Sequence, residues 1–135
     1  MPQFFIEAPT GIGDEAKRRM LKEISVAIDH AYHIPDVRIW LREWSVNNVA
    51  QDGRLNAEPI RPLCFLEAPE LSDLDAKRKM AERIDAAIAE AYAGLANTDQ
   101  TLILMNHYPL ENAAAAGRLQ ADNPERVEGM KQLNR

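Results

Sequence analysis

Residues 1–9 read MPQFFIEAP, and residues 61–69 read RPLCFLEAP. In both, a proline leads a short apolar run and a Glu-Ala-Pro triplet closes it. Sliding residues 2–32 onto 62–92 without a gap gives 14 identities in 31 positions. Unrelated segments of average composition would share about two. The identities include Pro2/Pro62, Phe5/Phe65, Glu7/Glu67, Met20/Met80, Ile24/Ile84 and Tyr32/Tyr92. The match resumes further on, where VRIWLREW (37–44) faces TLILMNHY (101–108) and Gly53-Arg54-Leu55 faces Gly117-Arg118-Leu119. This is an internal duplication. Two copies are too few for a solenoid, so the expectation is one pseudo-twofold domain. It divides into a first repeat with its linker (1–61), a second repeat (62–119) and a C-terminal tail (120–135).

Each copy has the same order of elements. QFFIEA and LCFLEA are apolar runs ended by Pro9 and Pro69 and read as strands. A leading proline suits the first strand position, where a missing N–H costs least. A helix follows. Ala16, Met20, Ile24, Ala27, Ile28 and Ala31 share one face at spacings of three and four, and Ala76, Met80, Ile84, Ala87, Ile88 and Ala91 repeat that face. Asp14 and Ser72 are the expected N-caps, and Ile34-Pro35 and Gly94 the expected stops. VRIWLREW and TLILMNHY then read as second strands. The whole is βαββαβ, an α+β two-layer fold: a four-stranded sheet with two helices on one face. Strands within a copy are expected to run parallel, joined by a right-handed crossover.

The strands are apolar on both faces. Leu102 and Leu104 point opposite to Thr101, Ile103 and Met105, and Leu63 and Phe65 opposite to Cys64 and Leu66. Two helices cover one side of such a sheet. The other calls for a partner, and a second copy of the chain is the expected one. The tail is too polar to cover that face alone, although Asn123-Pro124 followed by Val127, Met130 and Leu133 predicts one short docking helix.

Composition bounds the function. Sixteen Lys and Arg against 21 Asp and Glu give a net charge of −5 without a basic block, which argues against a nucleic-acid partner. The lone Cys64 excludes an internal disulfide and fits a reducing compartment. No apolar run approaches a membrane span and the start lacks a signal-peptide plan, so a cytoplasmic protein is expected, without a membrane partner. His30, His33 and His107 lack ligand spacing, so no metal site is expected. Serine-nucleophile motifs are absent, and TGIGD (10–14) reads as a turn.

Two features point to chemistry. Pro2 follows the initiator Met, and removal of Met1 leaves a secondary amine. An α-amino group has a reference pKa near 8, and burial or a nearby cation lowers it, giving a base poised for proton transfer. Alone, a Met-Pro start is common and signifies little. In VRIWLREW, alternation puts Arg38, Trp40, Arg42 and Trp44 on one face, with Ile39 and Leu41 toward the helices. Guanidinium groups bind carboxylates through paired hydrogen bonds, and indole walls exclude water. The same face also reads as a subunit interface, and the two readings agree where a pocket lies between subunits.

A proline behind Met, a duplicated β-α-β unit and a Val-Arg opening to the second strand together resemble the tautomerase superfamily, founded on 4-oxalocrotonate tautomerase. The resemblance covers about residues 2–119 and is to a fused, two-repeat member. The stretch NHYPLENAAAAGRL (106–119) resembles the cis-3-chloroacrylic acid dehalogenase branch. It implies a trimer, no cofactor, Pro2 as catalytic base and Arg38 as its catalytic partner, with Thr101 as the counterpart of Arg38 in the second copy. Arg42, Trp40, Trp44, Tyr108 and His107 complete the expected substrate-binding set, the last two by turning inward. A further family arginine, in the loop before the helix, is replaced by Ile12 and Leu71. The water-activating tyrosine and glutamate of the dehalogenase fall at Leu104 and Ala115. The expectation is therefore a cofactor-independent tautomerase or isomerase of a small 2-oxo acid or its enol. Decarboxylase, hydratase or dehalogenase action on a short unsaturated acid is one alternative. A non-catalytic, small-anion-binding oligomer is the other.

Overall fold

A computed structural model describes residues 1–135. In chain order the elements are β1 (Gln3–Pro9), α1 (Asp14–Tyr32), β2 (Arg38–Trp44), a hairpin of β3 (Ala50–Gln51) and β4 (Arg54–Leu55), β5 (Leu63–Ala68), α2 (Leu74–Ala91), β6 (Leu102–His107), a second hairpin of β7 (Ala114–Ala115) and β8 (Arg118–Leu119), and α3 (Pro124–Leu133). The main sheet has the order β2-β1-β5-β6. β1 is parallel to β2 and β5 to β6, as expected of the two crossovers, while β1 and β5 meet antiparallel at the centre.

The core lies between this sheet and the two long helices. Phe4, Ile6, Ala8, Cys64, Leu66 and Ala68 point into it, as do Met20, Ile24, Ile28, Met80, Ile84 and Ile88. Each buried large aliphatic contributes about 1.5–3 kcal/mol. The helices lie antiparallel, with Arg19 near the start of α1 paired to Glu90 near the end of α2 at 3.0 Å. The expected helix faces are thus the buried ones.

Three local expectations are corrected. The N-caps are Gly13 and Asp73. Asp14 lies inside the first turn of α1, where its charge meets the positive end of the helix dipole. Asp73, one residue past Ser72, accepts from the Asp75 and Ala76 amides at 2.9 and 3.1 Å. α1 ends at Tyr32, before Ile34-Pro35, because His33 turns left-handed at φ 56° and returns its N–H to the Asp29 carbonyl at 2.7 Å. The counterpart of Arg38 is Leu102, not Thr101. The Arg38 amide donates to the Pro2 carbonyl at 3.1 Å, and the Leu102 amide donates to the Pro62 carbonyl at 3.0 Å.

The repeated Gly-Arg-Leu segments are the return strands of the two hairpins. Each turns on a pair of left-handed residues, Asp52-Gly53 and Ala116-Gly117. Two successive positive φ values make the two-residue turn whose twist matches its flanking strands.

The far face of the sheet carries three rows set by strand register. They are Arg38-Gln3-Glu67-Asn106, Trp40-Phe5-Phe65-Leu104 and Arg42-Glu7-Leu63-Leu102. Nothing in the chain covers this face: Leu102 is 53% exposed, Trp40 47% and Leu104 41%. The tail forms its expected helix, with Asn123 accepting from the Glu125 and Arg126 amides and Pro124 opening it. It does not reach the open face. Met130 and Leu133 instead pack on the core, and Asn134 fastens the tail end to the Glu70 carbonyl and the Ser72 amide.

Candidate active site

Pro2 is fully buried where β1 begins. Its ring continues the inward positions of Phe4 and Ile6, and its carbonyl is fixed by the Arg38 amide of the neighbouring strand. Because β1 and β5 are antiparallel, the start of β1 meets the end of the second repeat. That juxtaposition delivers Tyr108. Its amide donates to the Ala68 carbonyl at 3.0 Å, and its hydroxyl donates to the Met1 carbonyl oxygen at 3.2 Å.

Arg38 is exposed and forms no ion pair and no side-chain hydrogen bond. Its row also holds Glu67, which accepts from Asn106 Nδ2 at 3.0 Å. Trp40 is further along β2, stacked on Phe5 with centroids 6.3 Å apart, its indole N–H donating to Gln3 Oε1 at 3.2 Å. A polar strand end therefore gives way to an aromatic row.

Arg42 and Trp44 are placed differently. Five residues of strand, about 17 Å, separate Glu7 from Pro2, and Glu7 opposes Arg42. Glu7 engages both side chains, accepting from Trp44 Nε1 at 2.7 Å and pairing with the Arg42 guanidinium, which also lies over the Phe5 ring. Within one chain neither reaches Pro2. His107 is exposed, and alternation along β6 turns it away from the Asn106 face. Ile12 and Leu71, the loop positions that the resemblance matched to an arginine, pack against the core.

Electrostatics add two residues that the repeat pattern does not mark, Arg126 of α3 and Asp36 in the loop before β2. The Met1 amine, one residue ahead of Pro2, lies below its ordinary range, chiefly through burial and then through the Arg126 charge, with Asp36 pulling the other way. Burial raises the Tyr108 hydroxyl, Arg126 opposing and Glu67 reinforcing. Tyr32 is pushed up to about 12 by burial and then by Tyr108. The end of the sheet is thus a partly desolvated site, with one amine, two tyrosines and a cation from the tail acting on one another.

Clefts of about 600 and 620 Å³ flank α3. Tyr32, Ile34, Arg126 and Met130 line the first, and Tyr108, Val127 and Met130 the second. A cleft of about 520 Å³ between α1 and α2 mixes His30, Asp73, Lys79 and Arg83. No group of three His, Cys, Asp or Glu is placed to hold a metal, and no helix is long and apolar enough to cross a membrane.

No protein-family model matches the chain, and no curated protein sequence does. Solved structures do match in fold. The crystal structure of a native fused 4-OT superposes with a TM-score of 0.78 at 17% identity, covering 90% of this chain and 98% of that one. A wild-type fused 4-OT asymmetric trimer gives 0.73 at 20% identity, with 88% and 96% covered. Pt0534 inactivated by 2-oxo-3-pentynoate gives 0.72 at 18% identity, with 87% and 94% covered. Two of these neighbours are fused 4-OT structures, and this chain shares the fold of all three.

Proposed function

We propose that the chain, once Met1 is removed, is a cofactor-independent tautomerase or isomerase acting on a small 2-oxo acid or its enol. The observation that carries this reading is the placement of Pro2. It is buried at the start of β1, with the Tyr108 hydroxyl on the preceding carbonyl and the unpaired Arg38 on the adjacent strand.

The chemistry follows from those groups. The Pro2 nitrogen, freed of Met1, is a secondary amine in a desolvated setting, which favours its neutral, basic form. It takes the proton from the carbon next to the ketone and leaves an enolate. Arg38 holds the substrate carboxylate or the developing enolate oxygen, an interaction that strengthens as charge builds. The Tyr108 hydroxyl is a donor at the same end of the sheet, and Trp40 is the dry wall. The protonated proline then returns the proton to oxygen or to another carbon, completing a keto-enol or double-bond isomerisation.

The open sheet face supports a homotrimer as the working form, since Trp40, Leu102 and Leu104 have no cover within one chain. Trimers also occur among the fused 4-OT structures of this fold. Arg42 and Trp44 enter the site only from a neighbouring copy packed on that face. A reducing, cytoplasmic setting is consistent with the free, buried Cys64.

The test has three parts. The intact mass should lack one methionine, light scattering should give about three chains, and the purified chain should ketonise phenylpyruvate enol. Pro2→Ala should remove at least 100-fold of that activity, in the range expected for loss of a general base. A chain that keeps Met1 and shows no turnover sinks the enzyme reading in favour of a non-catalytic anion-binding oligomer.

A further inference from the structure

The site has one conspicuous gap. The loop before α1 holds Ile12 and the loop before α2 holds Leu71, and neither loop contains a Lys or Arg to offer a substrate carboxylate. On the neighbouring strand β2, Arg38 is the guanidinium level with the start of β1, on the open-face side, whereas Arg42 lies further along and pairs with Glu7. Another cation approaches from outside both repeats. α3 presents Arg126, Val127, Met130 and Leu133 inward at helical spacing, while Glu125, Glu128 and Gly129 are exposed. Three of the four inward residues are apolar, and Met130 and Leu133 pack on the core. The fourth is Arg126.

Arg126 is partly buried and forms no ion pair and no side-chain hydrogen bond. A guanidinium brought partly out of water without an anionic partner is costly unless a ligand supplies one. Its neighbourhood fits a ligand. It lines a cleft of about 600 Å³, a size suited to a small organic acid, walled by Tyr32, Ile34, Met130 and Leu133, with the exposed Glu125 carboxylate also on its lining. On the other side of Met130, Tyr108 lines the second cleft and reaches the Met1 carbonyl. The helix is fixed at both ends, by the Asn123 cap and by the Asn134 clamp onto Glu70 and Ser72. The Arg126 charge bears on both the Met1 amine and Tyr108.

We infer that Arg126, delivered by the C-terminal helix, binds the carboxylate of a monocarboxylic 2-oxo acid presented to Pro2, and that the tail is therefore part of the active site. This rests on the isomerase reading for its substrate class, but the carboxylate site can be tested without turnover. A second role follows for the same charge: with Met1 gone, a cation in this neighbourhood favours the neutral form of the freed Pro2 nitrogen.

The experiment pairs binding with kinetics in the full chain. 3-Phenylpropanoate, which cannot enolise, is titrated by calorimetry against wild type, Arg126→Gln and Arg126→Lys, with 3-phenylpropan-1-ol as the neutral control. Circular dichroism melts verify that the variants are folded. The expected result is carboxylate binding by wild type, weakened tenfold or more in Arg126→Gln and less in Arg126→Lys, with the alcohol indifferent to the substitution. Phenylpyruvate turnover should show a raised KM in Arg126→Gln and a kinetic base titrating at higher pH. Equal carboxylate affinity in wild type and Arg126→Gln overturns the inference whatever the turnover, and so does a wild type that does not bind. Selective loss of carboxylate binding in a protein without any turnover upholds the Arg126 site and sinks the isomerase reading alone.

Discussion

The Tyr108 hydroxyl donates to the Met1 carbonyl oxygen at 3.2 Å, so the last residue of the second repeat's strand segment closes on the first peptide of the first repeat. Only an antiparallel β1–β5 seam brings residues 107 positions apart into this contact. Removal of Met1 takes away the acceptor and leaves the hydroxyl beside the freed Pro2 nitrogen. Tyr108→Phe should then lower kcat on phenylpyruvate enol by about tenfold, the worth of one hydrogen bond at about 1.4 kcal/mol. The melting temperature should move little. An unchanged kcat removes Tyr108 from the site.

Glu7 and Glu67 occupy equivalent places in the two repeats but do unequal work. Glu7 accepts from Trp44 and pairs with Arg42, joining β1 to the far end of β2. Glu67 accepts only from Asn106. Glu7→Ala should therefore cost about 1–2 kcal/mol in urea unfolding, and Glu67→Ala about half of that or less, both discounted for solvent screening. Equal costs would mean that the Glu7 cluster adds no cohesion.

Stability should fall in alkali. Tyr32 and Tyr92 are pushed up to about 12 from 10.0, and Cys64 to about 12 from 9.0, each chiefly by burial. An unfolded chain gives up these protons from about pH 9 to 10, whereas the folded chain keeps them to about 12. The folded state thus binds more protons in that window. The contribution is fully present below pH 9 and is lost as pH rises toward 12. Urea midpoints measured from pH 8 to 11 should decline steadily. A flat profile would show that these side chains already meet water in the native state.

The duplication made most of the scaffold legible. Matching Phe5 to Phe65 and Ile28 to Ile88 marks strands and helix faces before any pairing is known, and the alternation in TLILM already predicts a sheet apolar on both sides. The central β1–β5 seam was not legible, because nothing local in PQFFIEAP says which strand lies beside it. Neither was the reach of the tail. Arg126 stands four residues before Met130, so its place on the inward face was present in the spacing, yet it belongs to no repeat and has no counterpart to draw attention to it. Arg42 and Trp44 show the opposite limit. Alternation puts them on the correct face, but strand length separates them from Pro2, and Glu7 engages both.

Tyr92 gives the last prediction. It matches Tyr32 in the repeat and is fully buried, and its hydroxyl is the one buried side-chain polar atom without a hydrogen-bond partner. An unpaired buried hydroxyl carries a desolvation cost of about 1–3 kcal/mol that no contact repays. Tyr92→Phe removes that oxygen, keeps the ring packing and leaves room for only the smallest relaxation. It should be neutral or stabilising by about 1 kcal/mol, and it should flatten part of the alkaline decline, since one of the raised hydroxyls is gone. Tyr32→Phe is the control, because Tyr32 lies in the Tyr108 and Arg126 neighbourhood and its loss should also perturb turnover. A Tyr92→Phe protein destabilised by more than 1 kcal/mol would mean that the hydroxyl has a partner, most simply an ordered water, and that this end of the core is wetter than its packing indicates.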